Sequence, residues 1–246
     1  LEIFYADGEV KKIVTDGTWN WSNDGEIRFA DNKDGEIVDA RMTPSYGKFA
    51  KVTNNNVVPV CSNNVPIAEK ERFKPTVSKT PSGKTLLEFP NNLAGYISFS
   101  LSANAGEKIK MCFGEMLDKN GELTLKNIIC RLRPCNVFTD FQCSSKKKTT
   151  PLQKIEYICK DGENNYKTKF AIFGFKYVEI ETDIDLTDAE FTAIAVHSNM
   201  EETGFFDSSN ELLNKLVDAT KWSTKSNSVD LPTDCPTRER HGWTGD

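Results

Sequence analysis

The sequence predicts a mainly β fold, an antiparallel β-sandwich followed by a single helix. Three observations carry that reading. Apolar and polar residues alternate over short runs, the period of a strand buried on one face. Turn signals separate those runs at short intervals. Only near residue 207 does the apolar spacing change to that of a helix.

Leu1–Tyr5 reads as the first strand. The first eighty residues are strand-like but broken, with turns at Asp7-Gly8, Asp16-Gly17, Asp24-Gly25 and Asp34-Gly35. Glycine takes positive φ cheaply and aspartate tolerates it. The residues between these dipeptides do not match, so they are turn chemistry and not a repeat. Trp19 and Trp21 fall two apart and read as core or edge aromatics, with sugar stacking as the other use. Lys74–Lys84, carrying Pro75, Pro81 and Gly83, has the composition of a linker and is the candidate domain boundary.

Beyond it, Thr85–Phe89 is a candidate strand. Ile97, Phe99 and Leu101 alternate with Tyr96, Ser98 and Ser100; Ile109, Met111 and Phe113 alternate with Lys108, Lys110 and Cys112. Lys154–Cys159, Tyr177–Glu181 and Phe191–His197 complete the set, with turns at Ala105-Gly106, Asp118–Gly121 and Asp161-Gly162. Short strands with turns between them suit a sandwich. Ser208-Ser209-Asn210-Glu211 has the S-x-x-E form of a capping box. Leu212, Leu213, Leu216 and Val217 then fall at helical spacing, and the helix runs to Ser223 or beyond, ending before Pro232. One helix on a β protein needs a partner, and the partner helices are expected outside this chain.

The composition narrows the function classes. The chain has 246 residues, 38% hydrophobic and 27% charged, which is a globular balance. No run approaches the ~18 apolar residues that a membrane-crossing helix needs, and no membrane partner is expected. Thirty-one Lys and Arg face 36 Asp and Glu, for a net charge of −5. A nucleic-acid partner, which calls for a basic stripe, is not expected. The one basic run, Lys146-Lys147-Lys148, sits among Ser and Thr and reads as a solvated loop.

Cysteines stand at 61, 112, 130, 135, 143, 159 and 235, an odd count without regular spacing. That is a poor disulfide framework. With no C-x-x-C pair and only His197 and His241 to assist, neither a metal nor a cofactor is expected. The cysteine usage points to a reducing, cytoplasmic setting. No charged and apolar leader precedes Leu1. Both ends read as cuts through a longer protein, so that observation carries little about its location.

The chemistry gathers in the last thirteen residues, Asp234–Asp246, which hold three carboxylates, two arginines, a histidine and a tryptophan around Pro and Gly. Cleaving a glycosidic bond takes one carboxylic acid to protonate the leaving oxygen and a second carboxylate to activate water or attack carbon. A tryptophan beside them offers a platform for a sugar ring, and Arg and Asp can bond its hydroxyls. The same composition also suits a charged surface loop held in shape by Arg–Asp pairs. Composition leaves both readings open.

Motif detail separates them. Asp234-Cys235-Pro236-Thr237-Arg238-Glu239-Arg240-His241-Gly242-Trp243-Thr244-Gly245-Asp246 closely resembles D-C-P-x-R-(D/E)-R-x-G-W-x-G-D, a signature of the bacterial α-L-rhamnosidases of glycoside hydrolase family 78. Four further segments are similar to that family in the same order. Asp34–Arg41 resembles N-G-E-x-Y-D-A-R, and Phe89–Tyr96 resembles F-x-x-N-x-x-G-[WY]. Phe113–Asp118 resembles Y-G-E-x-L-D, and Phe173–Glu179 resembles F-x-G-F-R-Y-V-E. Val196-His197-Ser198 and Gly204-Phe205-Phe206 fall where the family has them.

The resemblance implies a layout of β-sandwich domains, then a catalytic (α/α)6 barrel, then a C-terminal β-domain. On that layout residues 1–80 are the end of an N-terminal β-sandwich domain and 81–203 a concanavalin-like, jelly-roll type sandwich. Residues 204–246 would be the entry of the barrel. The implied activity is inverting hydrolysis of terminal α-L-rhamnosyl groups, with rhamnose-containing glycosides or polysaccharides as partners. Carried over by position, Glu239 matches the general acid, Asp234 and Asp246 the acidic residues that hold the sugar, and Trp243 an aromatic of the sugar pocket. Arg238 is a partner for a hydroxyl or a carboxylate. Glu239 would need a raised pKa, which Asp234 and Asp246 would supply by repulsion. The general base would be a separate Glu beyond Asp246, so the chain alone is expected to be inactive. The alternative is a non-catalytic carbohydrate-binding or domain-packing module.

Other reactive side chains read as structural: His197 as a hydrogen-bonder, Glu115 as a packed, paired carboxylate, and Cys235 as a thiol with no base beside it in sequence. His241 stands where the family varies.

Overall fold

The computed structural model describes residues 1–53, 57, 58, 60–129 and 152–243. Lys146–Lys148, the cysteines at 130, 135 and 143, and Asp246 lie outside the described residues. In chain order the strands are β1 (Glu2–Phe4), β2 (Val10–Lys12), β3 (Asn20–Trp21), β4 (Ile27–Asp31), β5 (Gly35–Asp39), β6 (Lys48–Phe49), β7 (Ile67–Phe73) and β8 (Thr76–Lys79). Next come the 19-residue β9 (Thr85–Ala103), then β10 (Lys108–Gly114), β11 (Met116–Leu117) and β12 (Leu123–Thr124). After these come β13 (Lys154–Ile158), β14 (Gly162–Lys167), β15 (Phe173–Thr182) and β16 (Glu190–Ser198). Helix α1 (Glu211–Ser226) and the short β17 (Ser228–Val229) and β18 (Leu231–Pro232) close the described chain.

Ten strands form one sheet in the order β4-β5-β13-β10-β15-β9-β16-β7, with β8 and β14 also on β9. Strand β9 makes the sheet curl. Its first part, Thr85–Glu88, pairs with β8 and with Tyr177–Ile180 of β15. Its later part, from Gly95, pairs with β16 and β14. Between them Phe89, Pro90, Asn91 and Asn92 stand opposite Lys176 alone. Such a bulge bends a strand, and Pro90 is tolerated there because the ladder is already interrupted. Parts of the sheet then face each other across its curl: Phe99 of β9 meets Tyr157 of β13 edge-on at 5.2 Å, although two strands separate β9 from β13.

The alternating residues fill the space between the layers. Leu87, Phe89, Ile97, Ile109, Phe113, Ile155 and Phe173 are fully buried. Phe113 stacks on Phe173 at 4.2 Å and meets Phe175 edge-on at 5.1 Å. Fully burying a Phe contributes about 1.5–3 kcal/mol, and this cluster is the centre of the core.

Two sequence readings change here. Lys74–Lys84 is not a linker: Thr76–Lys79 pairs with Thr85–Glu88 as a hairpin, turned at Thr80–Lys84. Proline and glycine mark a tight turn as readily as a linker. The helix begins two residues later than the capping box, with Ser208 as its cap, would place it. Asn210 is the N-cap, its side chain accepting from Leu212 N and Leu213 N. Ser208 Oγ instead contacts Asn214 Oδ1 and Asn210 O.

Residues before 80 also enter this sheet. β5 runs parallel to β13 in register Lys154↔Gly35 to Ile158↔Asp39. A Cβ on Gly35 would fall 1.7 Å from Lys154 O, and its φ is +115°, so only glycine fits this approach. The buried Glu36 carboxylate accepts from Tyr166 Oη at 2.5 Å and from the backbone N–H groups of Lys169, Phe170 and Ala171. Asp39 holds Arg41 through two bonds of 2.8 Å. The segment resembling N-G-E-x-Y-D-A-R is thus a joint of the sheet. Among the described residues, no helix is long and apolar enough to cross a membrane.

Candidate active site

The segment 234–243 forms a closed loop after β18. Cys235 N and His241 N both donate to Asp234 Oδ1, at 2.9 and 3.1 Å, and Asp234 N donates to His241 O. Thr233 and Gly242 form an antiparallel bridge, and Trp243 N donates to Pro232 O at 2.9 Å. Asp234 is therefore the staple that draws the two ends of the loop together.

Arg240 fastens the loop to the sandwich. Its Nε donates to Thr237 O, its Nη1 to Asn32 O and Ile172 O, and its Nη2 to Gln153 Oε1 at 2.7 Å. Those acceptors come from the loop itself, the β4–β5 turn, the start of β15 and the start of β13. Burial pulls the guanidinium down to about 10, still well above neutrality, so the charge persists. Gln153 in turn donates to Phe113 O, and Lys33 Nζ donates to Glu239 O at 2.5 Å. The loop also lies flat on β15. Thr237 is buried, and a Cβ at Gly174 would come within 2.4 Å of Thr237 Cγ2 and 3.0 Å of the Pro236 carbonyl carbon.

Three of the residues singled out from sequence meet at this loop. Glu239 Oε2 accepts from Arg238 Nε at 2.6 Å and from Cys235 Sγ at 3.3 Å. Asp234, Cys235 and Glu239 each bring one polar side-chain atom within 4.8 Å of the others. Asp234 Oδ1, Cys235 Sγ and Glu239 Oε2 are all taken up by protein hydrogen bonds. Trp243 leaves the loop beyond the Thr233–Gly242 bridge and is 55% exposed. Asp246 is outside the described residues.

The charge state of Glu239 differs from the one that repulsion by Asp234 and Asp246 would give. Burial pushes its carboxyl up, but hydrogen bonds from Arg238 and Cys235, with the Arg238 charge, outweigh it and hold the group below its usual value. Arg238, adjacent in sequence, is the nearer and stronger influence. As it stands the carboxyl is ionised at neutral pH.

Two spaces adjoin the loop. A hollow of about 160 Å³ behind it is lined by Cys235, Pro236 and Arg240 on one side and by Asn32, Phe170 and Ile172 on another. A groove of about 820 Å³ runs between α1 and the β9 bulge, bounded by Asn91, Asn92, Glu115, Asp218, Trp222 and Pro236. Glu115 at its edge accepts from Asn92, Asn127 and Thr237. His197 is buried, with Nδ1 on Ser198 O. Cys61, Cys112, Cys159 and Cys235 are free thiols, and burial pushes those of Cys112 and Cys159 up to about 11.

The anchoring residues Asn32, Lys33 and Gln153 do not stand out in the sequence. Only Arg240 carries a signal, as the second arginine of the R-E-R triplet. The others lie 87 or more positions away from it and meet the loop only in the fold.

Comparison with known proteins gives a consistent result along the chain. Residues 1–80 match the family model described as the alpha-L-rhamnosidase N-terminal domain, and residues 78–197 the bacterial alpha-L-rhamnosidase concanavalin-like domain. Residues 201–246 match the bacterial alpha-L-rhamnosidase 6 hairpin glycosidase domain. An alpha-L-rhamnosidase of Formosa agariphila is 30% identical over 262 aligned positions, covering all of this chain and 26% of that protein. The crystal structure of Streptomyces avermitilis alpha-L-rhamnosidase complexed with L-rhamnose superimposes with a TM-score of 0.81 at 25% identity, covering 99% of this chain and 23% of that one. The structure of alpha-L-rhamnosidase from Dictyoglumus thermophilum gives 0.80 at 26% identity, with 99% and 27% covered. The chain spans about a quarter of the length of the curated relatives it matches.

Proposed function

Since this chain belongs to the bacterial α-L-rhamnosidase family, we propose that the protein it forms part of hydrolyses terminal α-L-rhamnosyl residues from glycosides or polysaccharides, with inversion. The observation that carries this reading is the loop 234–243, in which Asp234 and Glu239 converge beside Arg238 on a loop pinned to the sandwich by Arg240.

In this reading Glu239 is the general acid. It gives its proton to the glycosidic oxygen as the bond from the anomeric carbon to that oxygen breaks and its electron pair stays on the oxygen. A water oxygen bonds to the anomeric carbon from the opposite face, and a carboxylate outside this chain takes the water's proton. Asp234, Asp246 and Trp243 hold the sugar. Arg238 has a second part to play. While it pairs with Glu239 the acid stays ionised, so sugar binding must draw Arg238 onto a hydroxyl or carboxylate. Losing that partner in a dried site raises the Glu239 pKa towards the range a general acid needs. The exposed Leu212, Leu213 and Leu216 of α1 are then covered by the remainder of the protein.

The test is a rhamnoside hydrolysis assay on the 246-residue chain and on the full-length protein. Activity is expected only in the latter, and Glu239→Gln should abolish it while rhamnose binding, read by calorimetry, persists. Turnover by the chain alone would overturn the placement of the base outside it. Full activity of the Gln variant would overturn the role of Glu239.

A further inference from the structure

Besides Arg238, the Glu239 carboxyl has a second donor, a thiol that the proposed reaction does not use. Cys235 Sγ donates to Glu239 Oε2 at 3.3 Å and accepts from Glu239 N at 3.4 Å. The two contacts close one turn of the loop, tying both the backbone and the carboxyl of residue 239 to a single side chain. Cys235 is itself held in place, because its N–H donates to Asp234 Oδ1. The other groups facing Glu239 are Arg238 and Asp234 from the same loop and Lys33 from the β4–β5 turn, whose ammonium is on the Glu239 carbonyl. Arg240 is turned away, onto Gln153, Asn32 and Ile172.

We propose that Cys235 is a positioning residue for Glu239, fixing its carboxyl and stabilising the carboxylate that remains once the proton has been given to the leaving oxygen. The proposal rests on Glu239 being the general acid. Arg238 is needed by the substrate and must release the carboxyl during the cycle; Cys235 has no such competing use and can stay in place throughout. A thiol suits the task because it is a weak donor and a weak acceptor. It favours the carboxylate without holding the group ionised as firmly as a guanidinium does.

A general acid is lost as the pH rises through its pKa, and in this reading the acid forms only with sugar bound, so Glu239 governs the high-pH limb of the kcat profile. In the full-length protein, Cys235→Ala removes a hydrogen bond to the carboxylate and should move that limb up by about half a pH unit. Cys235→Ser restores a hydroxyl donor and should hold the limb at or below its wild-type position. A merely structural cysteine would change stability and rate while leaving the limb where it was. Thermal melts of both variants accompany the profiles. If Cys235→Ala does not fold, a Cys235→Ser limb above that of wild type overturns the proposal. An unmoved limb in folded Cys235→Ala, with Glu239→Gln inactive, also overturns it and leaves the acid assignment standing. An active Glu239→Gln variant overturns both.

Discussion

The curled sheet and helix α1 carry equally clear apolar faces and treat them in opposite ways. Along β9 the alternating Ile97, Phe99 and Leu101 are buried to 4% exposure or less, while along α1 Leu212 is 75% exposed and Leu216 61%. The helix docks instead through its C-terminal turns: Trp222 packs on Phe73 with ring centres 5.6 Å apart, and Ser226 Oγ accepts from Ala94 N. Periodicity therefore states what kind of element a segment will be. Burial depends on which other elements the fold brings against that face.

Substitutions on the two sides of this contrast should differ most in the core. Phe113→Ala removes a ring stacked on Phe173 and edged by Phe175, and should cost about 3–5 kcal/mol in urea unfolding. A loss below about 1 kcal/mol would mean the core closes over the gap. Next comes the seam between the regions. Arg240→Ala strips one charged donor from four oxygens and should cost about 2–4 kcal/mol. Arg240→Lys, which lacks the planar fork, should recover only part of this. Gly174→Ala forces the loop off β15 through its clash with Thr237 and Pro236. An overpacked contact costs about 1–3 kcal/mol, and in the full-length protein kcat should fall with it; unchanged kcat would show that the loop does not need β15.

A pH effect probes the helix–sheet contact directly. Glu71 accepts from Lys225 Nζ of α1 at 2.7 Å and lies 3.5 Å from His197 Nε2. Burial pushes its carboxyl up, but the Lys225 hydrogen bond and the positive charge around it hold the group below its ordinary 4.5. A depressed folded-state value means that the unfolded chain binds more protons. The stabilisation is thus present above pH 4.5 and is lost as pH falls through the lowered value. Trp222 fluorescence should report the loosening of α1 in that acidic window, and Glu71→Gln should remove the dependence. The smallest change is expected at the exposed face, where Leu216→Ser in this chain should shift stability by no more than about 0.5 kcal/mol. A larger loss would place that face under cover.

Much of the strand pattern is legible in the residues themselves, since alternation is local. Thr85–Phe89, Lys108–Phe113, Lys154–Cys159 and Phe191–His197 all lie on observed strands, give or take an end residue. The two alternating runs on either side of Pro90 are one strand, because a bulge opposite Lys176 lets the proline through. β14 has no such signature, since Asn164 is one of its two buried positions and its amide is spent on Lys160 O and Gly162 O. The terminal motif is legible as a string of residue types. The charge on Glu239 is not, because Asp234 and Arg238 compete for influence and only their distances choose between them.

Residue order alone specifies the elements of this protein, the turns between most of them and the catalytic-type motif at its end, because hydrophobic period, glycine freedom and residue chemistry all act over a few neighbours. Tertiary structure supplies what depends on distant partners: β5 laid parallel to β13, Glu36 buried under Tyr166, and Arg240 locked to Asn32, Gln153 and Ile172. Each of those contacts joins positions at least 68 residues apart, and nothing in the local pattern of either segment names the other.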